Sequence, residues 1–188
     1  QNKNNEHKKI NINNNFIEKS MEQLNRIVSE MQIKNEELKN FIKPNEVKKE
    51  FFLDEIVMEA LEMLEDTFMN HNIKIDYNFS KSINLYGFPN EINQVIFSIL
   101  QNAKEALVEK NIDSKKVFIS IKKDKDFAYI NIVDNAGGVP SALLGNIFEP
   151  YFTTKKYKKS SGLGLFLSKI IIEENMQGKL EFENASEG

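Results

Sequence analysis

The sequence predicts an α/β protein in which helices cover a mixed sheet in two layers, preceded by a long helix of the coiled-coil type. Helical and strand-like patterns alternate from residue 50 onward, which is typical of such a sandwich. Two strand-like runs, 117–122 and 127–133, are joined by a short Lys-Asp-Lys-Asp turn and must be antiparallel. The sheet is therefore mixed and not doubly wound and parallel. A heptad pattern before residue 44 predicts the long helix.

Length and composition limit the kinds of protein that this chain can be. Its 188 residues allow one domain and an appendage. The 25 Lys and Arg against 28 Asp and Glu give a net charge of −3, whereas a dedicated nucleic-acid binder usually carries a basic excess. The lack of cysteine excludes disulfides, thiolate zinc sites and cysteine nucleophiles. No apolar run reaches the roughly 18 residues of a membrane helix, so we expect neither nucleic-acid nor membrane contact.

The N-terminal part combines a polar tail with a heptad pattern. Residues 1–15 are too polar to bury a core, so we expect them to be disordered or frayed. Residues 16–44 carry apolar side chains at alternating steps of four and three until Pro44 ends the helix. This seam helix presents Ile17, Met21, Leu24, Val28, Met31, Leu38 and Ile42, with Asn35 in its one polar position. We expect a homodimer through residues 17–42; packing of the seam on its own domain is the alternative.

Residues 45–188 form the predicted domain. Apolar residues at helical spacing indicate its helices and strict alternation indicates its strands, while Asp54 suits an N-cap and Pro89 a first helical turn. In chain order we expect a helix at 55–70, a strand at 73–79, a helix at 89–110, the strands at 117–122 and 127–133, a short helix at 141–147, a polar loop at 149–161, a helix at 164–175 and a strand at 179–183. The buried stripe of the 89–110 helix is expected to be Ile92, Val95, Ile96, Ile99, Ala103 and Ala106.

A second face of the 89–110 helix is polar. Ser98, Asn102, Glu105 and Glu109 follow one another at steps of four, three and four and offer hydroxyl, amide and carboxylate oxygens. Such oxygens suit Mg²⁺, which keeps several of its waters. An ordinary solvated helix face is the alternative.

The strand at 127–133 leads into Asp134, which is followed by the pair Gly137 and Gly138. A carboxylate fixed at a strand end can accept a hydrogen bond from an exocyclic amine, and paired glycines allow a flat ligand to approach the backbone. The alternative is a plain turn with a capping aspartate.

The segment Ser160–Leu165, SSGLGL, opens the predicted helix at 164–175. Glycines at a helix start can present free N–H groups to a phosphate. The preceding segment 147–159, IFEPYFTTKKYKK, combines aromatic anchors with lysines such as Lys155 and is typical of a lid. A solvated loop and a simple helix start are the alternatives.

These four signals occur in a fixed order, and together they resemble the ATP-binding catalytic domain of bacterial sensor histidine kinases, within the Bergerat-fold ATPase superfamily. QVIFSILQNAKEAL resembles the N box, DNAGGVP the first glycine box, IFEPYFTTK the F box and GLGLFLSKIIIEE the second glycine box. The resemblance covers roughly residues 50–188. The seam helix resembles the second helix of the family's dimerisation and phosphotransfer hairpin.

The resemblance implies an ATP and Mg²⁺ site. Asn102 matches the family's Mg²⁺-ligating asparagine. Ser98 stands in the place of a second asparagine, and these two residues are the implied catalytic residues. Asp134 matches the aspartate that binds the amino group of adenine. Ala136 and Glu105 depart from the family's glycine and lysine-type residue. The implied nucleotide contacts are Asn102, Glu105, Asp134, Gly138, Ile147, Lys155, Ser161, Gly162, Leu163, Gly164 and Leu165.

The implied reaction is transfer of the γ-phosphate of Mg-ATP to a histidine of the hairpin, for relay to a response regulator receiver domain. The residues around His7 and His71 do not match the family's acceptor motif, so we expect the phosphoacceptor helix to lie outside this chain. The resemblance also implies a cytoplasmic location and a final sheet strand beyond residue 188. A membrane anchor elsewhere in the parent protein stays open. The alternatives are another Bergerat-fold ATPase and a non-catalytic nucleotide-binding module. Hydrolytic ATPases of this fold carry a glutamate that acts as general base, and Ser98 in its place disfavours the first alternative.

Overall fold

The structure is a computed structural model that describes residues 19–25, 28–29, 47–79, 81–110, 112–154 and 161–185. The chain divides into two units, Gln1–Phe41 and Ile42–Gly188. In the first unit, the described residues are helical and the seam side chains of Met21, Leu24 and Val28 are exposed. The predicted tail and the rest of the seam lie outside the described residues.

The second unit alternates helices and strands. In chain order it contains β1 (Lys49–Phe52), α1 (Leu53–Asn70), β2 (Ile73–Phe79), β3 (Asn84–Gly87), α2 (Pro89–Glu109), β4 (Lys115–Lys123), β5 (Ala128–Asp134), a 3₁₀ helix (Ser141–Asn146) and α3 (Gly164–Ile170), which continues as a π-helical turn (Ile171–Asn175). No helix within the described ranges is long and apolar enough to cross a membrane.

The larger sheet of this unit is mixed and has the strand order β2-β4-β5. β2 runs parallel to β4 with Ile75 opposite Val117, and β4 runs antiparallel to β5 with Ile119 opposite Ile132. The predicted mixed sheet and the antiparallel pair are therefore confirmed. A second sheet, formed by antiparallel β1 and β3, is not among the predicted elements.

Helices α1 and α2 share one hydrophobic core with the inner face of β4. Pro89 stands in the first turn of α2, as predicted. The buried side chains of α2 are Pro89, Glu91, Ile92, Val95, Ile96, Leu100, Ala103 and Leu107. Ile99 and Ala106 of the predicted stripe are only half-buried, because Leu100 and Leu107 one position further on face the core.

Two local predictions are wrong. The N-cap of α1 is Phe52 and not Asp54, because the Leu53 amide already bonds to the Ile83 carbonyl (2.9 Å) as the helix begins. Asp54 lies inside the first turn and accepts hydrogen bonds from Ser82 Oγ (2.8 Å) and the Ile83 amide (3.3 Å). Residues 179–183 form no strand, because they pair with no strand in the described part of the chain.

Candidate nucleotide-binding site

The turn after β5 is held by its own polar side chains. Asp134 ends β5, and its Oδ1 accepts a hydrogen bond from the Ala136 amide (2.9 Å). Asn135 joins the turn to the start of β4, since its Oδ1 accepts from the Lys116 amide (2.8 Å) and its Nδ2 donates to the Ser114 carbonyl (2.7 Å). The half-buried Asp134 carboxylate is therefore fixed at the strand end.

The glycine pair and the alanine before it take different conformations. Gly137 and Gly138 are left-handed, with φ of +79° and +69°, whereas Ala136 has no positive φ and is 2% exposed. The departure from the family's glycine at Ala136 is therefore sterically compatible with this turn. The Ala136 methyl group is part of the hydrophobic core.

Two residues from outside the turn contact its backbone. Lys110, just after α2, donates from Nζ to the Gly138 carbonyl (3.0 Å). Asn184 accepts from the Val139 amide (2.8 Å) and donates from Nδ2 to the Val139 carbonyl (2.8 Å). The predicted site residues include neither of them. Asn184 stands in no recognisable motif and is 45 residues from its partner, so no local sequence signal indicates the contact.

The start of α3 lies against the middle of α2. A Cβ at Gly164 would lie 2.8 Å from Ser98 Oγ and 4.0 Å from Asn102 Nδ2. A side chain at residue 164 would conflict with the Ser98 hydroxyl, whereas the distance to Asn102 is that of an ordinary van der Waals contact. The structure therefore brings the predicted magnesium and phosphate residues together.

The turn before α3 is packed against the segment with the aromatic anchors. Gly162 has a φ of +67°, and a Cβ there would lie 2.6 Å from the Tyr151 carbonyl carbon and 2.7 Å from the Phe152 carbonyl oxygen. Tyr151 is itself left-handed, with a φ of +65°. Any side chain at residue 162 would collide with backbone, which explains the glycine.

Hydrogen bonds define the helix start. The Leu163 amide donates to Ser161 Oγ (3.3 Å), and the Leu167 amide donates to the Leu163 carbonyl (2.9 Å). Amides in the first turn of a helix lack an intrahelical acceptor, and they carry the positive end of the helix dipole. The start of α3 can therefore donate to phosphate oxygens.

The remaining predicted residues differ in burial. Ile147 and Leu163 are buried, while Leu165 and Glu105 are half-buried. Phe148 lies under the Lys169 ammonium group, 4.9 Å from the ring centre. Lys155 lies outside the described residues.

The donor set suits Mg²⁺ only together with phosphate. Within the described ranges, no group of three His, Cys, Asp or Glu side chains could hold a metal ion. Asn102 and Ser98 offer neutral oxygens, and Mg²⁺ bound to a nucleotide needs few protein ligands because phosphate oxygens and water supply the others.

The two groups of residues are linked by α2. Asn102 and Ser98 lie in the middle of this helix and Lys110 follows its end, eight residues after Asn102. At about 1.5 Å per residue, the backbones of Asn102 and Lys110 are about 12 Å apart along the helix axis. The arrangement suits a ligand with a polar base at one end and phosphates at the other.

Comparisons with known proteins identify what the chain is similar to. Residues 87–188 match the family described as histidine kinase-, DNA gyrase B-, and HSP90-like ATPase. The sensor protein kinase PilS of Pseudomonas aeruginosa is 34% identical over 102 residues, which cover 53% of this chain and 18% of PilS. The chain spans a fifth or less of the length of the first curated relatives that it matches (14–20%).

Solved structures show the same fold. The catalytic domain of histidine kinase ThkA superposes with a TM-score of 0.66 at 26% identity, covering 76% of this chain and 90% of that domain. The ThkA kinase in complex with the response regulator protein TrrA gives a TM-score of 0.65 at 24% identity, covering 93% of this chain and 47% of the kinase. The α/β sandwich is thus that of histidine kinase catalytic domains.

Proposed function

Because the chain belongs to the family of histidine kinase-, DNA gyrase B- and HSP90-like ATPases, we propose that it is the ATP-binding catalytic part of a sensor histidine kinase. The observation that carries this proposal is the approach of the start of α3, at Gly164, to Ser98 and Asn102 of α2. This approach places a helix start that can donate to phosphate beside an amide that can bind a cation.

Adenine recognition is assigned to Asp134. Its Oδ1 is engaged by the Ala136 amide (2.9 Å), which orients the carboxylate at the end of β5. The other oxygen can accept a hydrogen bond from the exocyclic amine of adenine. Guanine and hypoxanthine carry a carbonyl where adenine carries this amine. Their carbonyl oxygen would face the carboxylate without a proton to share, so the site prefers adenine.

Phosphate binding is assigned to the turn and the first residues of α3. The amides of Gly164 and Leu165 lie at the positive end of the helix, with Ser161, Gly162 and Leu163 forming the turn before it. Lys155 is assigned to the phosphates on its place in the lid motif alone. Glu105 and Ile147 complete the proposed contacts.

The substrate is proposed to be Mg-ATP, with the amide oxygen of Asn102 as a protein ligand of the cation. Mg²⁺ offsets the charge of the phosphate oxygens. The chain's own contribution is to hold the triphosphate against the start of α3, beside Ser98 and Asn102 of α2, which leaves the γ-phosphate in a fixed orientation. In phosphoryl transfer, such positioning supplies most of the catalysis.

The acceptor is proposed to be a histidine of the helical hairpin, and the phosphoryl group is then passed to a receiver domain. The ThkA kinase solved with its response regulator supports this partner. We also propose dimerisation through residues 17–42 and a cytoplasmic location, where ATP is available. Ser98 stands where hydrolytic members of the superfamily carry a glutamate that acts as general base. The lack of this base favours phosphoryl transfer over hydrolysis.

Calorimetry tests the proposed site. ADP and ATP should bind to the whole chain at one site, and Mg²⁺ should strengthen the binding of ATP, while GTP should bind at least tenfold more weakly, as expected for loss of a hydrogen bond to a charged group. Lack of ATP binding, or equal affinity for ATP and GTP, would contradict the proposal.

A further inference from the structure

The side chain of Asn184 makes a paired contact with the turn after β5. Its Oδ1 accepts a hydrogen bond from the Val139 amide and its Nδ2 donates to the Val139 carbonyl, both at 2.8 Å. We propose that Asn184 is a positioning residue that holds the turn 134–139 in the conformation that reads adenine. This inference rests on the proposed function, since it assigns a role to Asn184 at that same site.

The turn leaves space for this contact. Gly138 is left-handed, with a φ of +69°, and a Cβ there would collide with the Asn184 side chain, lying 2.8 Å from its Cγ. Glycine at residue 138 therefore serves two purposes, since it allows the backbone conformation and admits the amide. The close approach shows that the contact depends on the shape of both partners.

The contact fixes the flexible end of the turn. Asn135 ties the beginning of the turn to β4 through the Lys116 amide and the Ser114 carbonyl. Gly137 and Gly138 follow, and glycines have more backbone freedom than any other residue. Without a contact beyond them, this end of the turn could take several conformations. Asn184 and Lys110, which donates to the Gly138 carbonyl (3.0 Å), restrict it to one.

The chemistry of the contact requires a carboxamide. One atom must accept from an N–H group and the other must donate to a carbonyl, and an ionised carboxylate can only accept. An Asn184→Asp substitution keeps the size of the side chain and places an oxygen against the Val139 carbonyl. It should therefore release the turn without creating a cavity.

The test compares two substitutions of the same kind. Asn184→Asp is paired with Asn131→Asp, which makes the same change at an exposed position of β5. Calorimetry measures the affinity of each whole chain for ATP and for purine riboside triphosphate, which lacks the exocyclic amine. The melting temperature of each variant is recorded alongside.

If Asn184 positions the turn, its substitution should change the preference for ATP over purine riboside triphosphate and not only the melting temperature. Wild type and Asn131→Asp should prefer ATP roughly tenfold or more, the value of one hydrogen bond to a charged group, whereas Asn184→Asp should lower this preference below about threefold. A wild-type preference in Asn184→Asp, whatever its melting temperature, would overturn the inference. If Asn184→Asp does not fold, Asn184→Ala gives the same comparison without added charge.

The two proposals fail in different ways. A wild-type chain that does not bind ATP, or that binds both nucleotides equally, would overturn the proposed function and this inference with it. A wild-type chain that prefers ATP, together with an unchanged preference in the Asn184 variants, would overturn the role of Asn184 alone.

Discussion

Single side chains set the two ends of the proposed site. At the adenine end, this chain has Ala136 where the family has a glycine, and the turn accommodates it because the residue has no positive φ and its methyl group is buried. At the phosphate end, Ser98 brings a hydroxyl close to the backbone of Gly164 at the helix start. The turn and the helix start therefore accommodate these two departures.

The first prediction concerns Asp134. Asp134→Ala removes the acceptor for the adenine amine and should weaken ADP binding by about 1–3 kcal/mol, the cost of an unmade hydrogen bond. Asp66→Ala, at an exposed position of α1, is the matched control. Calorimetry with ADP measures both, and an unchanged affinity in Asp134→Ala would refute the assignment.

The second prediction concerns Asn102. Because its amide oxygen is assigned to the cation, Asn102→Ala should weaken Mg-ATP binding by about tenfold and metal-free ADP binding by about twofold or less. Gln94→Ala, on the exposed side of the same helix, should leave both affinities unchanged. Equal losses with and without Mg²⁺ would show that Asn102 has a structural role only.

Among the elements, the β4–β5 hairpin carries a cluster that should respond to pH. Asp124 Oδ2 accepts from the Tyr129 hydroxyl (2.7 Å), and Oδ1 accepts from the amides of Phe127 (2.8 Å) and Asp126 (2.9 Å). These bonds, that of Tyr129 first, lower the pKa of Asp124 from its ordinary value of 3.8. The bond to Asp124 raises the pKa of Tyr129 above 10.0.

The third prediction follows from the sign of the Asp124 shift. A lowered carboxyl pKa contributes stability above the ordinary value of 3.8, and this contribution is lost as the pH falls through the lowered pKa. Below about pH 4, the melting temperature of wild type should therefore fall more steeply than that of Asp124→Asn. Asp66→Asn should keep the wild-type slope, and parallel slopes in all three proteins would contradict the prediction.

Elements with a strong local pattern could be predicted from the sequence. The alternation in β2, the Pro89 start of α2 and the short turn between β4 and β5 each depend on neighbouring residues, and all are confirmed. β1 and β3 have only four residues each, too few to show alternation, and they pair across α1 and β2. The alternation at 179–183 is real, but a strand also needs a partner, and the sequence cannot show where one lies.

Among the site residues, those in local motifs could be predicted from the sequence and those that arrive through tertiary packing could not. Asp134, Gly162 and Gly164 belong to local motifs, so the sequence could indicate them. The supports of the adenine turn come from distant segments: Lys110 is 28 residues from Gly138, and Asn184 is 45 residues from Val139. Their roles depend on tertiary packing, and neither residue type is distinctive by itself.

At the scale of the whole molecule, the seam helix should make the chain a dimer. Met21, Leu24 and Val28 are 58%, 59% and 50% exposed, and such a stripe gains roughly 25 cal/mol for each Å² that a partner covers. Leu24→Glu should therefore shift the chain from dimer to monomer in sedimentation experiments. Gln23→Glu, which adds the same charge beside the seam, should remain a dimer; a monomeric wild type would contradict the prediction.

The last prediction is that this chain binds ATP and does not phosphorylate itself. Transfer requires an imidazole held in line with the γ-phosphate. His71 is the C-cap of α1, its amide bonds to the Phe68 carbonyl (3.2 Å), and a strand follows within two residues. His71 thus lies at a helix end that leads into a strand and not within a helix. His7 lies outside the described residues and is followed by Lys8 and Lys9, unlike the acidic or amide residue of the family's acceptor motif.

Incubation with γ-labelled ATP tests this prediction, on a preparation whose ATP binding has first been measured by calorimetry. The protein should retain no label that is stable to alkali and labile to acid, the behaviour of a phosphohistidine. His7→Ala and His71→Ala should bind ATP as wild type does and should likewise stay unlabelled. Acid-labile label on wild type that disappears in His7→Ala would make His7 the acceptor, and the chain would then contain both partners of the transfer.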